Sequence, residues 1–254
     1  MEILYLTMFF ILGTIMGSFC YVIAIRVSKE ESIISPPSHC DNCGHILKWY
    51  ELIPILSYII QGGKCKKCHT KLSIGYLLME VCTGILYMIC YHVFGFSLSL
   101  ISAIIFVTSI ITVIISDIEY MIILDEVLIF AVFGIIIVDL FDLGIIETSM
   151  KILSAIGAFA TMLFIKFAGD KMFKQESLGG GDIKLMFLVG LVLGYSLAIC
   201  NIFLATFIAF PIALILLITK KNNVIPFGPF LGMASLIIFI SGVTFSEIIN
   251  YIIS

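Results

Sequence analysis

The chain has 254 residues, 61% of them hydrophobic and only 12% charged, with a formal net charge of −3. That balance excludes a soluble domain as the bulk of the chain, and the lack of a basic run argues against nucleic acid as a partner. Runs of about 20 apolar residues recur along it, the length that crosses a bilayer.

Residues 2–25 form the first such run. It has neither a basic n-region nor a small-residue cleavage site, and it is longer than a signal-peptide core, so it reads as a retained span. Residues 26–73 follow as the only long polar stretch. They hold Arg26, Lys29, Lys48, Lys64, Lys66, Lys67 and Lys71, half of the 14 basic residues. Positive charge collects on the cytoplasmic side, which places this stretch inside and the N-terminus outside. The stretch is too short and too polar to bury a core of its own, so it needs a staple or the membrane as a platform.

Cys40-Asp41-Asn42-Cys43 and Cys65-Lys66-Lys67-Cys68 supply the staple: two C-x2-C knuckles with 21 residues between them. Paired knuckles of this kind predict a four-thiolate zinc site, each tight turn giving two sulfurs to a tetrahedral ion. A pair of disulfides is the competing reading, opposed by the reducing cytoplasm. His39, His45 and His69 lie nearby, but four cysteines already close a structural site. Cys20, Cys82, Cys90 and Cys200 fall in apolar runs and read as small packing residues.

Seven further apolar segments follow, at 74–94, 98–116, 121–138, 152–168, 185–198, 199–219 and 230–253. The sixth and seventh spans run together, with Gly194-Tyr195-Ser196 as the expected turn. Eight spans put both termini outside. Lys166, Lys171, Lys174, Lys184 and Lys220-Lys221 then fall inside. Asp139, Asp142 and Glu147 fall outside, with Lys151 the basic exception. The expected fold is an all-α polytopic membrane protein of about eight helices, with a small zinc-binding cytoplasmic insert between the first two.

Two carboxylates stand out against this background. Leu178-Gly179-Gly180-Gly181-Asp182-Ile183-Lys184 sets an aspartate directly after three glycines, where a membrane helix begins. Glycine lets a backbone approach a ligand closely, and carboxylates at bilayer depth are costly enough to read as functional. The plainer reading is a glycine loop with an aspartate N-cap. Span three ends Ser116-Asp117-Ile118-Glu119-Tyr120, and two crossings separate Asp117 from Asp182, so both return to the cytoplasmic face. Two carboxylates sharing a partly dry site do not both ionise easily. One keeps a proton, and the pair can hold a water as base and acid together, the arrangement for peptide hydrolysis without metal or nucleophile. Asp117, Glu119, Asp125 and Glu126 are also readable as interfacial charges at helix ends, and Glu80, two turns into span two, as a snorkelling or paired acid.

These residues together resemble the type IV prepilin peptidases, the GxGD-type membrane aspartic proteases also called prepilin leader peptidase/N-methyltransferases. Gly17-Ser18-Phe19 with Arg26 is similar to the family's opening segment. The two knuckles, with Pro54 and Ser57-Tyr58 between them, resemble its cytoplasmic insert, and Gly75-Tyr76 and Glu80 continue the likeness. The stretch from Asp117 to Asp125 resembles the first aspartate motif, and Gly179-Gly180-Gly181-Asp182-Ile183-Lys184 the GxGDxK motif. Pro226-Phe227-Gly228-Pro229-Phe230 resembles the loop before the last helix. The chain departs from the family in having Leu124 where proline often precedes the second aspartate of the first motif, and Asp41 where the first knuckle often has proline.

The resemblance implies cleavage of the short basic leader from prepilins and pilin-like subunits on the cytoplasmic side, after a glycine and before an apolar helix. Asp117 and Asp182 match the catalytic pair; Gly179, Gly181, Lys184, Asp125 and Glu80 are expected to support it. It also implies methylation of the new N-terminal amine, with S-adenosylmethionine as donor; no glycine-rich nucleotide fingerprint in the chain carries that step. The expected organisation is a first transmembrane helix (1–25), the four-cysteine insert (26–73) and a seven-helix protease domain (74–254), in the cell's cytoplasmic membrane among lipid. Two rivals are a proton-coupled transporter using intramembrane carboxylates and a zinc-binding scaffold without catalysis. Carboxylates at helix ends on one face favour hydrolysis over the first. The second leaves Asp182 and its same-side partner without a role.

Overall fold

A computed structural model describes residues 1–174, 178–218 and 225–253. It is helical throughout, and two isolated bridges, His39 with Ile46 and Lys64 with Lys71, are the only β pairing among the described residues. The chain divides into two compact units, Met1–Ile115 and Ser116–Ser254.

The first unit is built on α1 (Glu2–Ser28) and α3 (Ile74–Phe94), with the short α2 (Leu56–Ile60) in the insert between them. The two long helices pack along their lengths because glycines let the backbones touch. A Cβ on Gly13 would lie 2.7 Å from the Thr83 carbonyl, and one on Gly17 would lie 3.0 Å from the Glu80 Cα. Gly13 and Gly17 are four residues apart, the small-residue spacing that brings membrane helices together where no hydrophobic drive operates between them. Ser73 caps α3, its hydroxyl accepting from the Gly75 amide at 3.1 Å. The first part of α4 (Leu98–Tyr120) joins through Thr108, whose hydroxyl meets the Tyr87 hydroxyl at 2.5 Å.

The second unit begins with the last turn of α4 and continues through α5 (Asp125–Asp142), α6 (Ile145–Phe173), α7 (Gly180–Leu193), α8 (Tyr195–Ile218), α9 (Gly228–Ser241) and α10 (Phe245–Ile253). α7 is the centre, packed against α5, α6, α8 and α9. Beyond Lys184 its residues are apolar all round, as an enclosed stretch of helix requires, and Leu185, Met186, Leu188, Val189 and Leu191 are all buried. Gly190 sets its distance from α6, since a Cβ there would stand 2.6 Å from that of Ala158. At the far end, Lys151 on α6 donates to Asp139 on α5 at 2.8 Å, beside the turn at Gly144.

The helices fall where the apolar segments predict them, with three corrections. The last segment, 230–253, is not one helix: it stops at Ser241, Gly242 takes φ +62°, and α10 begins at Phe245. Residues 121–124 are not the start of α5, because Met121 turns at φ +55° and the helix opens at Asp125. α7 covers 180–193 rather than 185–198, so two of the three glycines before Asp182 are helical. The turn expected near Gly194 is present, with φ +80°. Among the described residues, five helices are long and apolar enough to cross a membrane: Glu2–Ser28, Ile74–Phe94, Leu98–Tyr120, Ile145–Met172 and Tyr195–Ile215. α5 carries four acidic residues and α7 has only 14 residues, about 21 Å at 1.5 Å per residue. Lys220-Lys221, expected inside, lie outside the described residues.

Candidate active site

Asp117 lies in the last turn of α4 and Asp182 in the first turn of α7. Both are buried. They line one cavity of about 620 Å³, together with Met121, Ile123, Leu178, Gly179 and Phe227. Each is held by a backbone donor: the Gly228 amide donates to Asp117, and the Gly179 amide to Asp182. The N-cap of α7 is Gly179, not Asp182. Asp182 is the third helical residue, so its carboxylate reaches back to the cap's amide, as the far member of a capping box does. The plainer sequence reading, an aspartate N-cap, is therefore replaced by a side chain that turns toward a cavity.

The glycines here do different work from that expected of a flexible loop. A Cβ on Gly181 would stand 2.7 Å from the Ile123 Cβ. One on Gly228 would stand 3.0 Å from the Ile123 Cδ1 and 2.5 Å from the Asp117 Oδ2. Ile123 is thus wedged between two glycines on different helices, and their missing side chains let the ends of α4, α7 and α9 close around it. Gly180, between Gly179 and Gly181, faces open space. The composition of the motif conceals this difference. Ile123 and Gly228 are the residues that sequence reasoning did not single out for the site. The only signal was the position of Gly228 within Pro226-Phe227-Gly228-Pro229-Phe230.

Lys184, two residues beyond Asp182, pairs with Asp125 through both carboxylate oxygens, at 2.6 and 2.8 Å. Asp125 is the first residue of α5 rather than one turn into it, so the pair ties the start of α5 to the start of α7. Both side chains are about half exposed, and such a pair contributes at most about 1 kcal/mol; its value is in alignment. Glu126 is exposed. Glu80 belongs to the first unit, where it accepts the Ile55 amide at 2.7 Å.

The insert holds a second centre. The sulfurs of Cys40, Cys43, Cys65 and Cys68 all lie within 4.8 Å of one another, and these residues could hold a metal ion. Cys40 to Cys68 is 3.7 Å and Cys43 to Cys65 is 3.9 Å. Tetrahedral thiolates about 2.3 Å from an ion stand about 3.8 Å apart, and these two distances match that spacing. None of the four cysteines is in a disulfide. The two knuckles repeat one geometry. The Cys40 amide bonds the His45 carbonyl and the Cys65 amide the Thr70 carbonyl, both at 2.9 Å, and Gly44 and His69 occupy matching positions at φ +64° and +58°. The histidines stay outside the cluster: His45 faces Glu51 at 3.3 Å, and His39 faces the Pro37 carbonyl at 3.0 Å.

Paired buried carboxylates in one cavity, with backbone donors fixing each, suit general acid and base work on a bound water. Comparison with known proteins gives the same direction. The profile of the bacterial peptidase A24 N-terminal domain matches residues 11–94, and that of the type IV leader peptidase family matches residues 104–218. A prepilin leader peptidase/N-methyltransferase of Bacillus subtilis (strain 168) is 33% identical over 240 residues, covering 93% of this chain and 94% of that protein. One from Myxococcus xanthus (strain DK1622) is 32% identical over 188 residues, 74% of this chain and 56% of that longer protein. One from Neisseria gonorrhoeae is 25% identical, covering 95% of this chain and 92% of the relative. No solved structure matches the chain. With a relative of this similarity aligned end to end and both profiles falling on successive parts of the sequence, the chain belongs to the type IV leader peptidase family.

Proposed function

We propose that this chain is a membrane aspartic endopeptidase that removes the basic leader from type IV prepilins and pilin-like proteins at the cytoplasmic face of the membrane. The observation that carries the reading is the meeting of Asp117 and Asp182 in one cavity of a chain from this family. The transporter reading draws no support from the three relatives named above, each of which carries the peptidase name.

In the mechanism, Asp117 and Asp182 hold a water between them. One carboxylate takes its proton as it attacks the scissile carbonyl, and the other, protonated, gives a proton to the leaving amine. Gly228 and Gly179 fix the two side chains through their amides. Ile123, seated against Gly181 and Gly228, sets the spacing of the helix ends that carry them. Lys184 and Asp125 are positioning residues for that same end of the bundle. The organisation we favour is a first transmembrane helix (1–25), a cytoplasmic insert (26–73) and a seven-helix protease domain (74–254).

Zinc is the ion the four thiolates suit: four sulfurs, tetrahedral spacing and no open position describe a structural site. It would fold the insert and take no part in hydrolysis. Methylation of the new N-terminus is carried by the relatives' names and by no residue of the described site, with S-adenosylmethionine as the donor we infer. The test is incubation of the detergent-purified protein with a prepilin and labelled methyl donor, reading the pilin N-terminus by mass. Leader removal with a methylated N-terminus is expected. An uncut prepilin would overturn the peptidase reading, and a cut but unmethylated one would remove the second activity.

A further inference from the structure

The insert carries a surface that neither hydrolysis nor metal binding uses. Residues 52–60 read Leu-Ile-Pro-Ile-Leu-Ser-Tyr-Ile-Ile, without a charge. They lie between the two cysteine knuckles and include α2, of which no residue is buried. Leu56 is 57%, Ile59 63% and Ile60 82% exposed, and Trp49, just before the run, is 77% exposed. A five-residue helix is far too short to persist in water on its own hydrogen bonds, and a cluster of bare isoleucine, leucine and tryptophan side chains marks a contact surface.

The backbone shows how this surface is held. Ile55 adopts φ +62°, ψ −56°, and the Leu56 amide bonds the Pro54 carbonyl at 2.6 Å, a γ-turn that a β-branched residue resists. The Ile55 amide is taken by Glu80 at 2.7 Å, and the hydroxyl of Ser18 also bonds that carboxylate. Glu80 is not at the edge of α3. It lies six residues beyond Ile74, the helix's first residue, about 9 Å along the axis, and it is level with Gly17 of α1. The only buried acid of α3 therefore draws the middle of the apolar run down beside two membrane helices. Lys48, Lys64, Lys66, Lys67 and Lys71 flank the run in the chain, all exposed, and the Lys66 ammonium lies 5.0 Å over the ring of Tyr50.

We propose that residues 52–60 dip into the cytoplasmic leaflet as an interfacial anchor, with Leu56, Ile59 and Ile60 at the acyl boundary, Trp49 among the headgroups and the lysines facing anionic lipid. Three features select lipid over a soluble partner. The tether sets the depth, because an amide bonded to Glu80 cannot stand clear of the membrane that α1 and α3 cross. The apolar residues are aliphatic at the tip with an aromatic at the rim, the order in which a bilayer interface sorts them. The lysines supply the charge that anionic headgroups attract. The proposal stands on the membrane placement of the first unit and does not depend on the peptidase reading.

Trp49 is the only tryptophan, so the full-length protein accepts a single reporter. Trp49→Phe with Ile60→Trp places it at the tip of α2, and Trp49→Phe with Asp41→Trp places it at an exposed acidic position of the first knuckle as an aqueous reference. Each is reconstituted in vesicles of phosphatidylethanolamine and phosphatidylglycerol. Lipid carrying a nitroxide near the headgroup should quench the reporter at 60 at least about twofold more than that at 41, and aqueous iodide should show the reverse order, as for side chains about 5–10 Å below the surface. Equal access of iodide to both positions would overturn the proposal. So would a reporter at 60 that leaves water only when prepilin is added, which would make this a substrate surface. Glu80→Ala, added to the Ile60→Trp protein, should shift the reporter toward iodide. The Ile60→Trp protein with Glu80 intact decides the proposal even if that variant does not fold.

Discussion

Replacing Gly228 by alanine tests the site at its tightest point. The added methyl would lie 2.5 Å from the Asp117 Oδ2 and 3.0 Å from the Ile123 Cδ1. Ordinary van der Waals contact needs about 3.5 Å or more, so one of these groups must give way by about 1 Å. The nearer one is the free end of a short side chain, so the carboxylate turns aside while the fold stays in place. A displacement of about 1 Å in a reacting group costs about 100-fold in rate, or about 2.7 kcal/mol of transition-state stabilisation. Pro229 follows Gly228, and a Cβ on the residue before a proline disfavours its helical conformation, a small cost that adds to the crowding. The apparent Tm in detergent should fall by no more than about 3 °C, the shift that about 1 kcal/mol makes in a chain of this size. Gly180→Ala is the control, since a Cβ there meets nothing within 4 Å; it should cleave at the parent rate. The assay is the initial rate of leader removal from a prepilin at sub-saturating concentration, with a melt on the same preparation. A Gly228→Ala protein that cleaves as fast as Gly180→Ala would refute the argument that Gly228 is there to make room for Asp117. A protein that loses its melt as well as its activity would show that crowding acts on the fold and not on the carboxylate.

Asp117→Asn and Asp182→Asn should each abolish leader removal while leaving the melt intact, and full cleavage by either variant would remove that residue from the mechanism. Asp125→Asn should be milder, about tenfold or less, because it weakens a half-exposed pair with Lys184 worth at most about 1 kcal/mol. The purified protein should contain about one zinc per chain, measured by mass spectrometry; Cys40→Ser with Cys43→Ser should release it and open residues 26–73 to protease. The same paired change should leave cleavage less affected than methylation of a pre-cut pilin, because no cysteine lines the aspartate cavity. Lys151→Met should lower the apparent Tm, since it removes the ammonium that bonds Asp139, whose side chain is 3% exposed. Adding Asp139→Asn should recover much of that loss.

The all-helical membrane class, the staple in the insert and the two aspartates were legible in the sequence because each rests on local pattern. A span is a run of apolar residues, a thiolate site is two knuckles at a spacing, and a costly carboxylate is conspicuous against isoleucine and leucine. Counting crossings placed the two aspartates on one face, and the structure brings them to one cavity. What the sequence left open was how close those groups come. The three glycines before Asp182 are alike in the chain, yet a Cβ on Gly181 would meet Ile123, one on Gly179 the Asp182 carboxylate, and one on Gly180 nothing within 4 Å. That difference exists only once α4, α7 and α9 converge. The break at Gly242 was hidden for a similar reason: residues 230–253 are apolar throughout, and hydropathy does not report a backbone that turns to positive φ. Glu80 read as a lone acid in a membrane helix. Its partner is the Ile55 amide, and a backbone donor leaves no mark in a side-chain sequence, so only the tertiary structure could supply it.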